Sequence, residues 1–162
     1  MSRWLRVVVG CWCLLGACGE DAHGTRHSDG GAEAEFEGCP DTIPHFSLGM
    51  STPSGDGSVK AVLLAASHVP PARYLNDWTV ELTDAGEKPI SDAMLQRARA
   101  FMPVHGHYGL PDPRLKRHED EPAVFDIDAL NLFMRGPWQI KLDVSSPEGG
   151  DVELVFEVCV EE

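Results

Sequence analysis

Basic residues are scarce in this sequence: its 162 residues include 13 Lys and Arg against 26 Asp and Glu, a formal net charge of −13. A surface of this sign repels phosphate backbones and anionic headgroups, which argues against a nucleic-acid partner. Catalytic signatures are also missing, since the chain has no Gly-x-Ser-x-Gly elbow, phosphate-binding glycine loop, His-Glu-x-x-His helix or Cys-x-x-Cys pair. The sequence therefore predicts a protein that is not an enzyme and does not bind nucleic acid.

The apolar run at the start of the chain, residues 7–17, is shorter than the roughly 20 residues that a transmembrane helix needs. It follows Arg3 and Arg6 and ends in Leu-Gly-Ala-Cys at Cys18, which resembles the lipobox of bacterial lipoprotein signal peptides. There, cleavage precedes the cysteine and the cysteine is acylated. We expect residues 1–17 to be a lipoprotein signal peptide and Cys18 to carry lipid. The alternatives are an ordinary secretory peptide and a buried hydrophobic segment.

Loss of that peptide removes two arginines and no acid, so 13 basic residues become 11 against 26 acidic ones, a net charge of −15. Attachment to the membrane then depends on acyl chains and not on headgroup charge. The sequence predicts a lipid-anchored protein of the bacterial cell envelope that faces the periplasm or the exterior. Its expected partners are the membrane, through the anchor, and a protein of the envelope.

Residues 18–38 are predicted to be the lipidated cysteine and a flexible linker, because Phe36 is their only large apolar residue. Such a linker has a root-mean-square span of about 25 Å and a full reach of about 70 Å. Cys11 and Cys13 leave with the signal peptide, so Cys39 and Cys159 remain for the folded part. In an oxidising compartment we expect these two to form a disulfide; two separately buried thiols are the alternative.

Residues 39–162 have the length of one domain and the alternation of strands. Residues 59–67 form an apolar run that predicts a buried strand, and a phase change between Ile127 and Leu130 predicts a bulge or strand break. The sets predicted to face inward are Trp78, Val80 and Leu82; Phe125 and Ile127; Leu130, Leu132 and Met134; Trp138, Ile140, Leu142 and Val144; and Val152, Leu154, Phe156, Val158 and Val160. Residues 110–122 are predicted to be a polar loop with a solvated His118. Short strands joined by turns indicate an all-β fold, an immunoglobulin-like antiparallel β-sandwich.

Three short segments resemble the YtkA-like domain, which is related to FixH-type proteins. They are Asn-Asp-Trp-Thr-Val at residues 76–80, Met-Pro-Val-His-Gly-His at residues 102–107 and Met-Arg-Gly-Pro-Trp at residues 134–138. The resemblance covers roughly residues 59–160. It implies a small β-sandwich of exported or membrane-attached proteins, often found near metal-transport or copper-oxidase systems, without established catalytic activity.

The segment before the histidines has two interpretations. Ser91 and Asp92 look like a helix cap, and the apolar residues that follow have helical spacing, so propensity alone favours a helix. The resemblance favours a strand at residues 96–101, because tertiary context overrides local propensity.

Met102, His105 and His107 form the densest group of soft-metal ligands in the sequence. If the backbone from His105 to His107 is extended, both imidazoles point to one face. Thioethers suit Cu(I) and imidazole suits either copper state, so we expect a copper site with Met102, His105 and His107, completed by Met134 or His68.

Two interpretations without metal remain open. In one, Met102 belongs to the core, Gly106 and Gly109 serve a tight backbone path, and the histidines hydrogen-bond to loop carbonyls. In the other, the domain is a non-catalytic interaction or scaffold module of a membrane-associated complex, and it uses a sheet edge or loop end.

Overall fold

The computed structural model describes residues 38–147 and 149–162. The predicted signal peptide, Cys18 and nearly all of the predicted linker lie outside the described residues. Nine strands make up the described part: β1 Ser51–Pro53, β2 Val59–Ala66, β3 Tyr74–Asp84, β4 Met94–Met102, β5 His107–Tyr108, β6 Arg114–Arg117, β7 Val124–Leu132, β8 Gly136–Ser146 and β9 Gly150–Val160.

The strands form two antiparallel sheets that pack face to face. The five-stranded sheet has the order β1-β2-β3-β7-β6, and the four-stranded sheet has the order β5-β4-β8-β9. The predicted all-β sandwich is therefore confirmed.

Side-chain alternation builds the core between the sheets. The two largest core side chains, Trp78 and Trp138, are 1% and 0% exposed. The rings of Phe46 and Phe156 pack on Trp78, with centroids 5.5 and 5.7 Å from it. Burying each such side chain contributes about 1.5 to 3 kcal/mol or somewhat more. The inward faces predicted for β3, β7, β8 and β9 are confirmed, except that Val152 in β9 and Met134, which follows β7, are only partly buried.

Two strand predictions need correction. Only the inner face of β2 is buried. Val59, Ala61 and Leu63 point inward, while Leu64 on the outer face is 43% exposed. Residues 110–122 are not simply a loop, since Arg114–Arg117 pairs with β7 as an edge strand. The exposure of the outer face of β2 does not show in the sequence, because a sheet face open to solvent tolerates apolar residues. The pairing of β6 does not show either, because an edge strand can consist mostly of polar residues.

Residues 94–102 form a strand, so the helical alternative is wrong. β4 pairs with β8 over residues 94–101, with a register shift between Leu95 and Arg97. The phase change in β7 is a bulge, as predicted: Ala129 has φ 65° and its N–H donates to the carboxylate of Asp77 at 2.8 Å. One extra residue on β7 thus restores the inward alternation at Leu130.

The predicted disulfide is confirmed: the sulfurs of Cys39 and Cys159 are bonded, and their Cα atoms are 5.8 Å apart. Cys159 lies on the outer face of β9, opposite the core residues Val158 and Val160. The chain from Cys39 to β1 then runs along the open side of the sandwich, where Phe46 reaches Trp78 and the Thr52 hydroxyl donates to the Val155 carbonyl at 2.8 Å.

The sandwich has two ends of different chemistry. One, called here the histidine end, consists of residues 67–75, 102–108, 133–135 and 160–162. Arg73 links three of these segments: its side chain donates to the Phe133 carbonyl at 3.1 Å, and its backbone N–H donates to the Glu162 carbonyl at 3.3 Å. The other, called the acidic end, consists of residues 54–58, 84–93, 118–123 and 149–151.

Candidate functional site

The backbone around the two histidines is a turn followed by a two-residue strand. The Met102 carbonyl accepts the N–H groups of His105 at 3.3 Å and Gly106 at 2.8 Å. Gly106 has φ 66°, a conformation that favours glycine. The extended backbone on which the convergence of the two imidazoles was conditional is absent, because the chain reverses at Gly106 and returns beside β4 as β5.

The returning strand places His107 opposite Met102. These two residues are register partners, and the next pair is Phe101 with Tyr108. Directly paired residues of antiparallel strands project to the same face, so the half-buried His107 lies on the inner side with Met102, which is 1% exposed.

His107 lies inside a stack of rings. Its centroid is 5.6 Å from that of the exposed His105, with 11° between the planes, and 5.1 Å from that of Phe133, with 23° between the planes. The Trp138 ring lies 5.9 Å away on the core side. Phe133 was not anticipated as a site residue, because it occupies the short β7–β8 connection and its sequence position gives no sign of this contact.

The Nδ1 atom of His107 is buried without a hydrogen-bond partner among the described residues. Leaving a buried polar atom unpaired costs about 1 to 3 kcal/mol. The alternative in which both histidine side chains bond to loop carbonyls is not what the described residues show. In the tautomer that carries the proton on Nε2, the Nδ1 lone pair can bind a metal ion without displacing a hydrogen bond within the described residues.

The two methionines differ in their surroundings. Met102 is fully in the core, as the alternative without metal expected. Met134 is partly buried against the core, and its carbonyl accepts the indole N–H of Trp138 at 3.0 Å. His68 is exposed at the same end and shares a hydrogen bond of 3.0 Å with the Ser67 hydroxyl. All the predicted ligands thus belong to the segments of the histidine end, where register pairs Met102 with His107 and ring stacking joins His107 to His105.

Gly109 has a packing role. A Cβ atom built there would lie 1.9 Å from the Asn131 carbonyl oxygen, so only glycine fits between the two backbones. Its N–H donates to Ala100 at 2.9 Å. The tight backbone path expected of Gly106 and Gly109 is therefore present, and it explains both glycines without a metal.

The positions of the side chains around His107 limit which metal ion could bind there. In the described part of the chain, no group of three or more His, Cys, Asp or Glu side chains is placed to hold a metal ion. The imidazole planes of His105 and His107 are almost parallel, so their in-plane lone pairs do not meet at one point. His105 makes no side-chain hydrogen bond within residues 38–147 and 149–162, so rotation of its exposed ring breaks its stacking on His107 but no hydrogen bond there. A site here needs thioether sulfur beside imidazole.

A second polar cluster was missed. His118, predicted to be solvated, donates through Nε2 to Asp126 at 3.0 Å, and the Thr79 hydroxyl donates to the same carboxylate at 2.9 Å. Burial alone would raise the pKa of Asp126, but the bonds from His118 and Thr79 and the positive charges of His118 and Lys116 lower it below its ordinary value. The residues of this cluster come from β3, from β7 and from the end of β6. Their proximity depends on how these strands pair, which the local sequence does not show.

Comparison with known proteins found no matching family model, no matching curated protein and no matching solved structure. Within the described residues, no helix is long and apolar enough to cross a membrane.

Proposed function

We propose that this chain is an exported, lipid-anchored β-sandwich protein that binds Cu(I) at its histidine end. The observation that carries the proposal is the buried Nδ1 of His107, which has no hydrogen-bond partner among the described residues. The imidazole lies on the same face as Met102 and stacks on Phe133, which precedes Met134 in the chain. His107 is the central ligand, Met102 and Met134 supply thioether sulfur, and His105 joins by rotating its exposed ring.

The donor set favours Cu(I) over zinc or Cu(II). Zinc sites are built from thiolate, imidazole and carboxylate, and three such groups do not assemble among the described residues. Methionine sulfur is a soft ligand that selects Cu(I), and an exported domain meets copper away from the thiols of the cytosol. Copper carriage by Met and His side chains needs no catalytic group.

The remaining predictions about identity belong to the same proposal. The lipid anchor at Cys18 is supported by the lipobox-like sequence alone. The immunoglobulin-like plan is supported by strand order, because β2-β3-β7-β6 faces β4-β8-β9 as the ABED strands face the CFG strands in that fold. Membership of the YtkA-like family is supported by the three sequence segments.

An interaction module without metal is the second candidate. It is favoured by the exposed apolar side chains of Val104 and Leu110, which are 64% and 66% exposed on either side of β5. This candidate assigns the histidines a packing role and predicts no copper affinity.

Copper content after dialysis separates the two candidates. The chain is loaded with Cu(I) under ascorbate, dialysed and analysed for metal, as wild type and as His107→Ala. We expect wild type to retain one more equivalent than His107→Ala. The matched control is His45→Ala, which removes an exposed histidine outside the histidine end and should retain as much copper as wild type. Equal retention by all three chains would rule out the proposed site.

A further inference from the structure

Four large apolar side chains are exposed at the histidine end. Val69 in the β2–β3 loop is 52% exposed, Tyr74 and Leu75 at the start of β3 are 59% and 56% exposed, and Val104 in the β4–β5 turn is 64% exposed. These four residues are called the apolar rim. The guanidinium of Arg73 lies 5.2 Å from the centre of the Tyr74 ring and also bonds the carbonyl of Phe133, whose ring stacks on His107.

The described chain enters the domain at this same end. The disulfide holds Cys39 against Cys159, which precedes the last residue of β9, Val160. The predicted linker of residues 18–38 therefore joins the sandwich beside the apolar rim. A short linker to an anchor gives an effective concentration in the millimolar range at the anchoring surface, so a contact too weak for a free protein becomes populated.

Charge favours one orientation of the domain over a membrane. The histidine end carries two exposed arginines, Arg73 and Arg135, against the exposed Glu161 and Glu162, and the exposed Asp41 follows Cys39 where the chain enters. The acidic end carries seven exposed carboxylates against the exposed Lys88: Asp56, Glu87, Asp92, Glu119, Asp120, Glu121 and Asp151. An anionic surface therefore repels the acidic end more strongly than the less acidic histidine end.

We propose that the apolar rim docks on the phospholipid surface that holds the anchor, at the boundary between headgroups and acyl chains. The proposal rests on the lipid anchor of the proposed function and adds the face that meets the membrane. Tyrosine suits this boundary because its ring is apolar and its hydroxyl is polar, and arginine places its charge among lipid phosphates while its stem stays apolar. The metal-binding end would then face the membrane.

Tryptophan reporters at the two ends test this orientation. The acylated chain carrying Val104→Trp or Met94→Trp is reconstituted in phosphatidylcholine vesicles with or without bromine on the acyl chains. Met94 is the matched control, since it is an apolar residue 46% exposed at the start of β4, at the opposite end. Trp78 and Trp138 are buried in both variants and give a common background. Leu75→Trp is a second rim reporter.

We expect bromine to reduce the fluorescence of the two rim reporters at least twofold more than that of Met94→Trp. Equal quenching at both ends, or none at the rim in vesicle-bound protein, would overturn the docking while leaving the anchor intact. A blue shift of the Val104→Trp emission without quenching would show that protein, such as a second copy, covers the rim, and this also overturns it. Failure of the wild-type chain to sediment with vesicles would overturn the anchor and the docking together.

Discussion

His107 and Met102 face each other across β4 and β5, and both side chains lie on the inner face of the sandwich. The reversal at Gly106 and the two-residue strand β5 place an imidazole over a core thioether at the end of the molecule. This pairing gives the candidate site its chemical character, because it puts on one face a soft sulfur and an imidazole nitrogen that has no hydrogen-bond partner in the described part of the chain.

Trp138→Ala should destabilise the domain by about 3 to 5 kcal/mol, because it empties a large core site. It also removes the ring beneath His107 and the bond from the indole N–H to the Met134 carbonyl. The free energy of unfolding measured in denaturant checks this. Leu110→Ala is the control, since its side chain is 66% exposed, and its effect should stay within about 0.5 kcal/mol. A loss below about 1 kcal/mol for Trp138→Ala would contradict the packing described.

Removal of the disulfide by Cys39→Ser with Cys159→Ser should lower the free energy of unfolding by about 2 to 5 kcal/mol. The bond links residues 120 positions apart, so its loss frees a long loop in the unfolded chain. Unfolding with and without reductant provides the control: reductant should destabilise wild type and leave the double mutant unchanged. Two free thiols found by mass spectrometry in the unreduced wild-type chain would contradict the bond itself.

The Asp56 turn should respond to acid. The Ser54 hydroxyl donates to this carboxylate at 2.6 Å, and the N–H and hydroxyl of Ser58 donate at 3.1 and 2.8 Å, which lowers the pKa of Asp56 from 3.8 to about 2. Because the folded pKa lies below the unfolded one, the stabilisation is complete above about pH 4 and is lost as the pH falls through about 2.

An NMR titration of the carboxyl carbon checks the value for Asp56. Ser54→Ala should raise the pKa of Asp56 toward 3.8, since the Ser54 bond is its largest cause. Ser47→Ala, an exposed serine outside the turn, should leave it unchanged. An unaltered pKa in Ser54→Ala would show that this hydroxyl is not the cause.

Cys18→Ser should abolish acylation of the precursor, because cysteine is the residue that carries the lipid. Metabolic labelling with a fatty acid reports the change. Cys13→Ser is the control: this cysteine leaves with the predicted signal peptide, so the mature chain should be labelled as wild type is. Persistent labelling of Cys18→Ser would refute the anchor.

Strands with strict alternation were predictable from the sequence. In residues 78–82 of β3 and 138–144 of β8 every second residue is apolar and the intervening ones are polar or charged, and residues 152–160 of β9 depart from this only at Val155 and Cys159, so a single register satisfies the core. The phase change in β7 was visible for the same reason. β4 was ambiguous because its inward residues Ala98 and Ala100 are small and favour a helix, and only pairing with β8 fixes the strand.

The geometry of the candidate site was less predictable. The residues Met102, His105, His107 and Met134 were named from the sequence, but their relation depends on a turn whose reversal at Gly106 the spacing does not reveal. The stacking on Phe133 and the bond between His118 and Asp126 depend on contacts between strands far apart in sequence. Such contacts follow from sheet register, which local pattern does not determine.

The most direct test of the copper proposal is a set of melting curves of the chain, with and without saturating Cu(I), for wild type, His105→Ala and His107→Ala. A ligand that binds only the folded state raises the melting temperature. We expect copper to raise the melting temperature of wild type, to raise that of His105→Ala less and to leave that of His107→Ala unchanged. Without metal, the free energies of unfolding of the three chains should differ by no more than about 1 to 2 kcal/mol. A wild-type curve that copper does not move, together with destabilised histidine variants, would contradict copper binding and assign the histidines to packing.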